Sequence, residues 1–491
     1  MKHRVAVAGA SGFVGQALVT ALLPAHDVIA LGRGGPAPAP REGLSFRRCD
    51  LYSAEQAAEA LAGATAAVYL VHSMLPSARL VQAAFSDLDV ICADNFARAA
   101  ARARVPHIVY LGGLTPASAD GLSEHLRSRE EVERVLASHG ARVTTLRAGI
   151  VIGPGGSSFD MLLRLAERLP WMILPKWGST RSQPIGLDDV VRLLVFALEH
   201  PEFAGRAHDV GGPSVLSYAQ MLEHTVTLLG RRPHVLRLPF NVPLFSLLWV
   251  SAITGAPLAL VMPLIESLKH EMLARQGLEL QAASGLCASS FDVLVAQAMR
   301  DEAARVEPPR LPRDAAARKR PSTVVSLQRL HRPGALTARA VADTYFHWLP
   351  RWLRPFIWVT RTASGWSLGL VGVASPLLEL SLDEARSDDD RTVFRISGGL
   401  LRAGASERGT FEFRSVLAGQ FVMTLVSDFE PRLPWLLYKF TQAIAHGQVM
   451  RAFGRYLNRT RARPGSTAPL PHDPLFLEAS PRIRSGNQPT P

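Results

Sequence analysis

Short apolar runs rich in branched side chains alternate with segments of helical periodicity over the first 150 residues of the chain. Apolar residues that recur every three or four positions predict helices near residues 13–23, 54–62, 85–103 and 122–138. The apolar runs between them predict strands at residues 4–8, 27–31, 44–47, 66–71, 107–111 and 142–146. This alternation indicates an α/β domain with a doubly wound parallel sheet, covered by helices on both faces.

After residue 150 the alternation gives way to longer helices and short strands. We expect this part to form a substrate lobe over the carboxyl edge of the sheet, so that the first domain, 1–306, comprises a core of about 1–150 and a lobe of about 150–306. A charged segment with prolines and no apolar face, residues 307–321, predicts a linker.

The remainder of the chain has a different pattern. A helix near 337–349 is followed by alternating segments and then by a long amphipathic helix near 433–458. The alternating segments predict strands at residues 377–382, 392–397, 409–415 and 420–427. This order indicates an α+β domain at 322–460, whose sheet holds the long helix around an apolar cavity. Residues 461–491 are rich in Pro, Ser and Gly, and we predict that they are disordered.

The formal charge of +12 says little about function, because Lys supplies only five of the 54 basic residues and the Arg residues are scattered. The sequence has no zinc-ligand spacing and no aromatic and basic RNA-binding pattern, so we expect no metal site and no nucleic-acid partner. Cys49, Cys92 and Cys287 are widely spaced, which fits a reducing cytoplasm. The first residues lead directly into a strand, and we therefore expect no signal peptide.

Residues 238–265 carry no charge over a length that is sufficient to span a bilayer. Four prolines divide this stretch into short pieces: Pro239, Pro243, Pro257 and Pro263. We therefore expect buried helices or the wall of an apolar pocket. Peripheral contact with the inner face of a membrane is the alternative.

The first predicted strand ends in a glycine-rich turn that leads into the first helix. The turn comprises Gly9, Ala10, Ser11, Gly12, Phe13, Val14 and Gly15. In this context the three glycines permit a tight turn, close approach of a diphosphate and close packing of helix on strand. Backbone amides and the positive end of the helix dipole then bind phosphate, so the turn predicts a dinucleotide site. The alternative is a turn whose glycines serve packing alone.

Arg33 follows the second predicted strand, where NAD-binding sites commonly carry an acidic residue for the ribose. A guanidinium suits a 2′-phosphate, which favours NADP(H) over NAD(H) as the cofactor. A solvated bystander is the alternative role of Arg33. After the third strand, Asp50 and Leu51 are candidates to flank the adenine, and the alternative is an ordinary cap of the following helix.

Segments along the first 305 residues carry a family resemblance. Besides the glycine turn, they are AVYLVHSM at 67–74, NFARAAARARVPHIVYLGGL at 95–114, LSEHLRSREEVE at 122–133, LRAGIVIGPGGSSF at 146–159, QPIGLDDVV at 183–191 and HDVGGPSVLSYAQML at 208–222. They resemble the atypical, extended branch of the short-chain dehydrogenase/reductase family, whose members bind NAD(P) on a Rossmann fold.

The second part of the chain resembles the uncharacterised C-terminal domain of one bacterial subgroup of that family. The opening of this domain is similar at STVVSLQRL, residues 322–330, and at YFHWLPRWLRP, residues 345–355. The later strands and the final helix resemble the helix-grip, lipid-transfer-like class. This resemblance implies a fold and no settled substrate.

Catalysis in the family uses a Ser and a Tyr-Lys pair, in which Tyr donates a proton and Lys holds the nicotinamide ribose. This sequence has Gly112-Gly113 at the Ser position, His125 at the Tyr position and Arg129 at the Lys position. We expect Arg129 to bind the ribose and His125 to donate the proton, because the two residues share one helix face. A neutral polar residue that caps the helix or faces solvent is the alternative for His125.

Val71 and His72 end the fourth predicted strand, and we expect them near the cofactor because strand ends line the crevice of such folds. Arg147 and Arg181 are candidates to bind an anionic substrate. Ion pairs with the acidic residues at 188–189 are the alternative for both arginines.

The leading hypothesis is an NADP(H)-dependent oxidoreductase that acts on the carbonyl, enol or hydroxyl group of a small apolar, lipid-like or quinone-like substrate. The loss of the usual Ser, Tyr and Lys supports an alternative, a non-catalytic NADP(H) sensor or assembly factor. A peripheral membrane lipid-binding protein is the third hypothesis.

Overall fold

The computed structural model describes residues 2–33, 41–72, 80–117, 122–168, 172–238, 250–253, 255, 265–304, 324–331, 336–403, 409–433 and 442–461. The predicted linker, nearly all of the predicted disordered tail and most of the uncharged stretch at 238–265 lie outside these residues. Within them, no helix combines the length and the apolar character needed to cross a membrane.

The first domain consists of short strands joined by helices. Its strands are β1 Arg4–Ala8, β2 Asp27–Gly32, β3 Leu44–Arg48, β4 Ala66–Tyr69, β5 Leu80–Gln82, β6 His107–Gly113, β7 Arg142–Ala148, β8 Val151–Ile152, β9 Met172–Leu174, β10 Arg181–Ser182, β11 Ile185–Gly186, β12 Arg206–Val210, β13 Leu216–Ser217 and β14 Val235–Arg237. Its helices are α1 Phe13–Leu22, α2 Ala54–Leu61, α3 Phe85–Arg102, α4 Glu124–Leu136, α5 Ser157–Arg168, α6 Leu187–Glu199, α7 Tyr218–Leu228, α8 Glu279–Ala283 and α9 Phe291–Ala304.

The main sheet of this domain has the strand order β12-β7-β6-β4-β1-β2-β3, and all its neighbouring strands are parallel. The chain runs outward from β1 to β3, then crosses back to β4, so the order reverses beside β1. A crevice forms at the carboxyl ends of the strands where such a reversal occurs. Separate apolar clusters cover the two faces, which confirms the predicted doubly wound α/β fold.

The sequence pattern does not predict β12, because RAHDV lacks a continuous apolar run. The strand pairs with β7, and its polar residues His208 and Asp209 are buried nonetheless. Asp209 Oδ2 accepts the backbone N–H groups of Arg275 and Gln276, each at 2.9 Å. These hydrogen bonds compensate the loss of water around the carboxylate, so a polar strand can close the sheet.

The lobe is built from two-stranded ribbons and helices. The strand pairs are β8 with β11, β9 with β14, and β10 with β13. Helices α5, α7 and α9 contribute Phe159, Tyr218 and Phe291 to one apolar core. The lobe lies near the carboxyl end of β1, because Gly153 and Gly156 pack against the Phe13 ring at the start of α1.

The C-terminal domain is an antiparallel sheet that curves around two helices. Its elements are β15 Val324–His331, α10 Ala338–Trp352, β16 Ile357–Arg361, β17 Gly365–Leu370, β18 Leu378–Leu382, β19 Arg391–Gly398, β20 Thr410–Val416, β21 Phe421–Phe429 and α11 Gln442–Arg461. The strand order is β16-β17-β18-β19-β20-β21-β15. Aromatic residues of α10, β20 and α11, including Tyr345, Phe411 and Phe453, fill the space between sheet and helices. The predicted α+β, helix-grip-like architecture is confirmed.

The two domains share a sheet edge and an apolar core. β5 of the first domain pairs in parallel with β15, and so extends the C-terminal sheet by one strand. Leu88 and Ile91 of α3 belong to the same buried cluster as Leu327 and Met423 of the C-terminal sheet. Helix α3 therefore lies between the two sheets and is buried along most of its length.

Two arginines of the C-terminal domain neutralise carboxylates on α3 and α4. Arg414 Nη1 donates to Asp94 Oδ2 at 2.8 Å, and its Nε donates to Glu412 on its own strand. Arg329 donates to Asp87 at 2.7 Å and to both carboxylate oxygens of Glu131, at 2.7 and 2.8 Å. Buried charges require such partners, because an ion removed from water without one is strongly disfavoured.

We predict that Arg414→Met lowers the free energy of unfolding by about 3–5 kcal/mol, because Asp94 and Glu412 each lose a counter-charge in a buried setting. Burial disfavours ionisation of Glu412, but Arg414 and Arg391 outweigh burial and lower its pKa to about 2. Urea denaturation of the full chain measures the change. In the control, Arg339→Met, an exposed pair with Glu384 is lost, and the expected cost is about 0–1 kcal/mol. Equal losses in the two variants would contradict the prediction.

Candidate functional site

The glycine-rich turn connects β1 to α1, and its first and last positions require glycine for steric reasons. Gly9 has φ +86°, a region that side-chain-bearing residues rarely adopt. At Gly15 a Cβ atom would lie 2.0 Å from the carbonyl oxygen of Gly9, so only glycine fits. The helix therefore packs closely on the strand, as the dinucleotide-binding motif requires.

Backbone amides open toward the crevice at the start of α1. Gly12 N–H donates to the Gly9 carbonyl at 2.9 Å, and α1 begins at Phe13, so the amides of the first helical turn have no partner within the helix. Ala10 and Ser11 form the turn itself, and Val14 lies in the first turn of α1. A diphosphate fits this cradle, because the amides and the helix dipole both favour an anion there.

The candidate residues for the adenosine half lie at the ends of β2 and β3. Arg33 directly follows β2, and its side chain is exposed. Asp50 follows β3, and its Oδ1 accepts the backbone N–H of Tyr52 at 3.3 Å. The cap of α2 is Ser53 rather than Asp50. Leu51 is buried, and its carbonyl accepts a hydrogen bond from the Asn95 side chain at 2.7 Å.

The candidate residues for the nicotinamide half converge from β4, β6 and α4. A Cβ atom at Gly113, the end of β6, would lie 3.6 Å from Cγ of Arg129. The ring centroids of His72 and His125 are 5.0 Å apart, and Val71 precedes His72 just after β4. The structure therefore brings together the three residues that the sequence assigned to this end of the cofactor site: His72, His125 and Arg129.

Each of these three side chains has a buried nitrogen without a hydrogen-bond partner among the described residues. The atoms are Nε2 of His72, Nδ1 of His125 and Nε of Arg129. Unsatisfied buried polar atoms are costly, and a group of them in one crevice is typical of a site that binds a ligand.

Asp89 and Ser128 orient His72, and the sequence reading missed both residues. His72 Nδ1 donates to Asp89 Oδ2 at 3.0 Å, and Ser128 Oγ donates to the same oxygen at 3.0 Å. With its proton on Nδ1, His72 presents the lone pair of Nε2. The sequence contained one indication of Asp89, a charged residue within the apolar pattern of α3. Its partner His72 lies 17 residues away along the chain, so no local pattern indicates the pair.

The two imidazoles are held in their neutral form. Burial, followed by the charge of Arg129, lowers the pKa of His72 to about 4, although Asp89 opposes this shift. Burial and the charges of Arg129 and His72 lower the pKa of His125 to about 3. The surroundings of both rings are apolar and cationic, and such surroundings favour a neutral imidazole.

The two further arginine candidates have acidic partners other than those expected. Arg147 forms a bidentate pair with Glu133, with both N–O distances 3.0 Å. Arg181 donates to Glu271 at 2.7 and 3.3 Å on the surface of the lobe. Neither pair involves residues 188–189. In the described part of the chain, no three His, Cys, Asp or Glu side chains are grouped to hold a metal ion.

Comparisons with known proteins agree with this geometry. A family model described as NAD(P)H-binding matches residues 9–159. Over 258 residues the chain is 30% identical to an epimerase family protein of Mycobacterium bovis, and the match covers 48% of this chain and 81% of that protein. The chain therefore belongs to the epimerase family of NAD(P)-binding, short-chain dehydrogenase/reductase-like proteins, and its first domain binds NAD(P)H.

Two other similarities are more limited. The auxiliary protein GraX of Staphylococcus aureus is 29% identical over 114 residues, which are 23% of this chain and 37% of GraX. The chain thus spans little more than a third of that relative. A crystal structure of a nucleoside-diphosphate-sugar epimerase from Staphylococcus aureus has a TM-score of 0.49 at 15% identity, and covers 60% of this chain and 99% of that one.

The lowered pKa values predict a pH dependence of stability. Below the ordinary histidine pKa of 6.5 the unfolded chain takes up protons on His72 and His125, whereas the folded chain keeps both rings neutral. The free energy of unfolding therefore falls as the pH decreases from 6.5 to about 4 for His72 and to about 3 for His125. We predict that His125→Gln reduces the slope of unfolding free energy against pH in this window by about 1 kcal/mol per pH unit. Urea denaturation from neutral to acidic pH measures the slope.

The control for this experiment is His347→Gln, which replaces an exposed histidine of α10. Its slope is expected to match that of the unmodified chain. An unchanged slope in His125→Gln would show that His125 does not lose a proton on folding in this pH range.

Proposed function

We propose that the chain is an NADP(H)-dependent reductase of a neutral, apolar carbonyl or quinone-like substrate. The observation that carries this proposal is the group of unsatisfied nitrogens on His72, His125 and Arg129, at the crevice where the glycine turn fits a diphosphate. When bound, the nicotinamide supplies a hydride. The chain's own residues bind the cofactor, orient the substrate and stabilise the charge that develops on its oxygen.

Stabilisation of charge suits this site better than donation of a proton by a strong acid. With pKa values of about 3 and 4, His125 and His72 are neutral near pH 7 and act as hydrogen-bonding groups. Arg129 is a permanent cation beside them. An N–H of His125 and the cation of Arg129, in a water-poor site, favour a developing oxyanion, whereas the Nε2 lone pair of His72 accepts a hydrogen bond. A quinone or a conjugated carbonyl fits, because its reduced form spreads the negative charge and takes its proton from water.

Arg33 supports a preference for NADP(H). Its exposed guanidinium follows β2, at the position where a carboxylate would favour the free ribose hydroxyls of NAD(H). A guanidinium binds the three oxygens of a 2′-phosphate through charge-assisted hydrogen bonds.

We predict that Arg33→Ala weakens NADPH binding by about 10- to 100-fold, because the hydrogen bonds to the charged 2′-phosphate are lost. NADH has no 2′-phosphate, and its binding is expected to stay unchanged. Titration of cofactor fluorescence gives both dissociation constants. The control is Arg102→Ala, which removes an exposed arginine at the end of α3 and is expected to alter neither value. Equal weakening of NADPH and NADH in Arg33→Ala would remove the basis for the preference.

We predict that His125→Ala lowers the turnover of NADPH with apolar ketones or quinones by about 100-fold and leaves the dissociation constant of NADPH unchanged. The reason is that an N–H donor would be lost from the substrate side of the crevice. The measurement is NADPH oxidation, followed by the absorbance of the reduced nicotinamide. Arg127→Ala, an exposed neighbour on the same helix, is the matched control and is expected to keep full activity.

A non-catalytic NADP(H) sensor or assembly factor is the second candidate, and a specific observation favours it. Gly112-Gly113, His125 and Arg129 replace the Ser, Tyr and Lys that the resembled family uses. Tight NADPH binding without oxidation by any ketone or quinone in the panel would support this candidate over the reductase. Failure to bind either reduced nicotinamide coenzyme would contradict both candidates.

A further inference from the structure

The C-terminal domain contains a cavity between its sheet and its two helices. The cavity has a volume of about 90 Å³ and is lined by residues of β15, β17 to β21, α10 and α11. Most of the lining is apolar, and includes Leu380, Ile396 and Phe411. No charged side chain is among the described residues that line it. Its volume is small compared with a phospholipid.

One polar atom in this apolar cavity has no hydrogen-bond partner among the described residues. Nε2 of His446 is buried and unpaired. The Tyr345 side chain lines the same cavity and is buried, and burial raises the pKa of its hydroxyl. The Phe411 ring centroid is 5.8 Å from that of Tyr345 and 6.4 Å from that of His446, so both rings border the same part of the cavity.

Ser326, another polar residue of the lining, has hydrogen-bond partners, unlike Nε2 of His446. Its hydroxyl accepts a hydrogen bond from Gln328 Nε2 at 2.8 Å, and lies 3.4 Å from Gln82 on β5. The unsatisfied atom among the described residues of the lining therefore belongs to His446. An imidazole nitrogen that is buried without a partner lowers stability, and a ligand that supplies the partner recovers that free energy.

We propose that this cavity is a binding site for a small, neutral, apolar molecule that carries one hydroxyl or carbonyl group. A ligand hydroxyl donates to His446 Nε2, and a ligand carbonyl accepts from the Tyr345 hydroxyl. A carboxylate or a phosphate is disfavoured, because no cation of the described lining compensates its charge. The site is separate from the cofactor crevice and does not depend on the reductase proposal.

Three probes that differ in one group test this site on the full-length chain: p-cresol, toluene and p-toluate. Ligand-observed NMR titrations give the dissociation constants. We expect p-cresol to bind about 3- to 10-fold more tightly than toluene, the equivalent of one hydrogen bond, and p-toluate to show no binding. His446→Leu removes the acceptor of the ligand hydroxyl and is expected to bring p-cresol to the affinity of toluene.

Matched controls separate this site from the rest of the chain. His347→Leu, on the exposed face of α10, and His125→Ala, in the cofactor crevice, are expected to leave p-cresol binding unchanged. Ile396→Phe fills the cavity and is expected to abolish binding of p-cresol and toluene together. The proposal is overturned if p-cresol does not bind, if p-toluate binds more tightly than p-cresol, or if Ile396→Phe has no effect.

Discussion

Three buried aspartates on α3 impose the constraint on which the rest of the structure depends. Asp87, Asp89 and Asp94 lie on a helix packed between two sheets, where an ionised carboxylate without a partner is strongly disfavoured. Each aspartate is neutralised or hydrogen-bonded from a different direction. Arg329 binds Asp87, His72 and Ser128 bind Asp89, and Arg414, Arg98 and His139 bind Asp94. These partners fix the position of α3 against both sheets.

The same constraint joins the cofactor site to the C-terminal domain. Arg329 bridges α3 and α4 through Asp87 and Glu131, and α4 carries His125 and Arg129 on the turns before Glu131. A buried charge network of this kind is sensitive to geometry, because its stability depends on complete pairing. The C-terminal domain therefore contributes to the positions of α3, which carries Asp89, and of α4, which carries His125 and Arg129, candidate residues for the nicotinamide half.

The chemistry of the site follows from the same burial. His72 and His125 lie near a permanent cation and away from bulk water, and both effects favour the neutral rings. Under the proposed function, the family's tyrosine acid is replaced by the neutral imidazole of His125 and the guanidinium of Arg129. Such a site favours a substrate that can carry negative charge itself, which distinguishes a quinone or conjugated carbonyl from a simple sugar alcohol.

The sequence by itself determined the parallel α/β core, the glycine turn and the α+β architecture of the C-terminal domain. These features depend on periodicity and on steric limits among neighbouring residues, such as Gly9 and Gly15. Only the tertiary structure decided that polar β12 closes the main sheet, that β5 pairs with β15, and that Asp89 orients His72. The physical reason is distance along the chain: Arg414 and Asp94 are 320 residues apart, and no local pattern records a charge pair that forms only on packing.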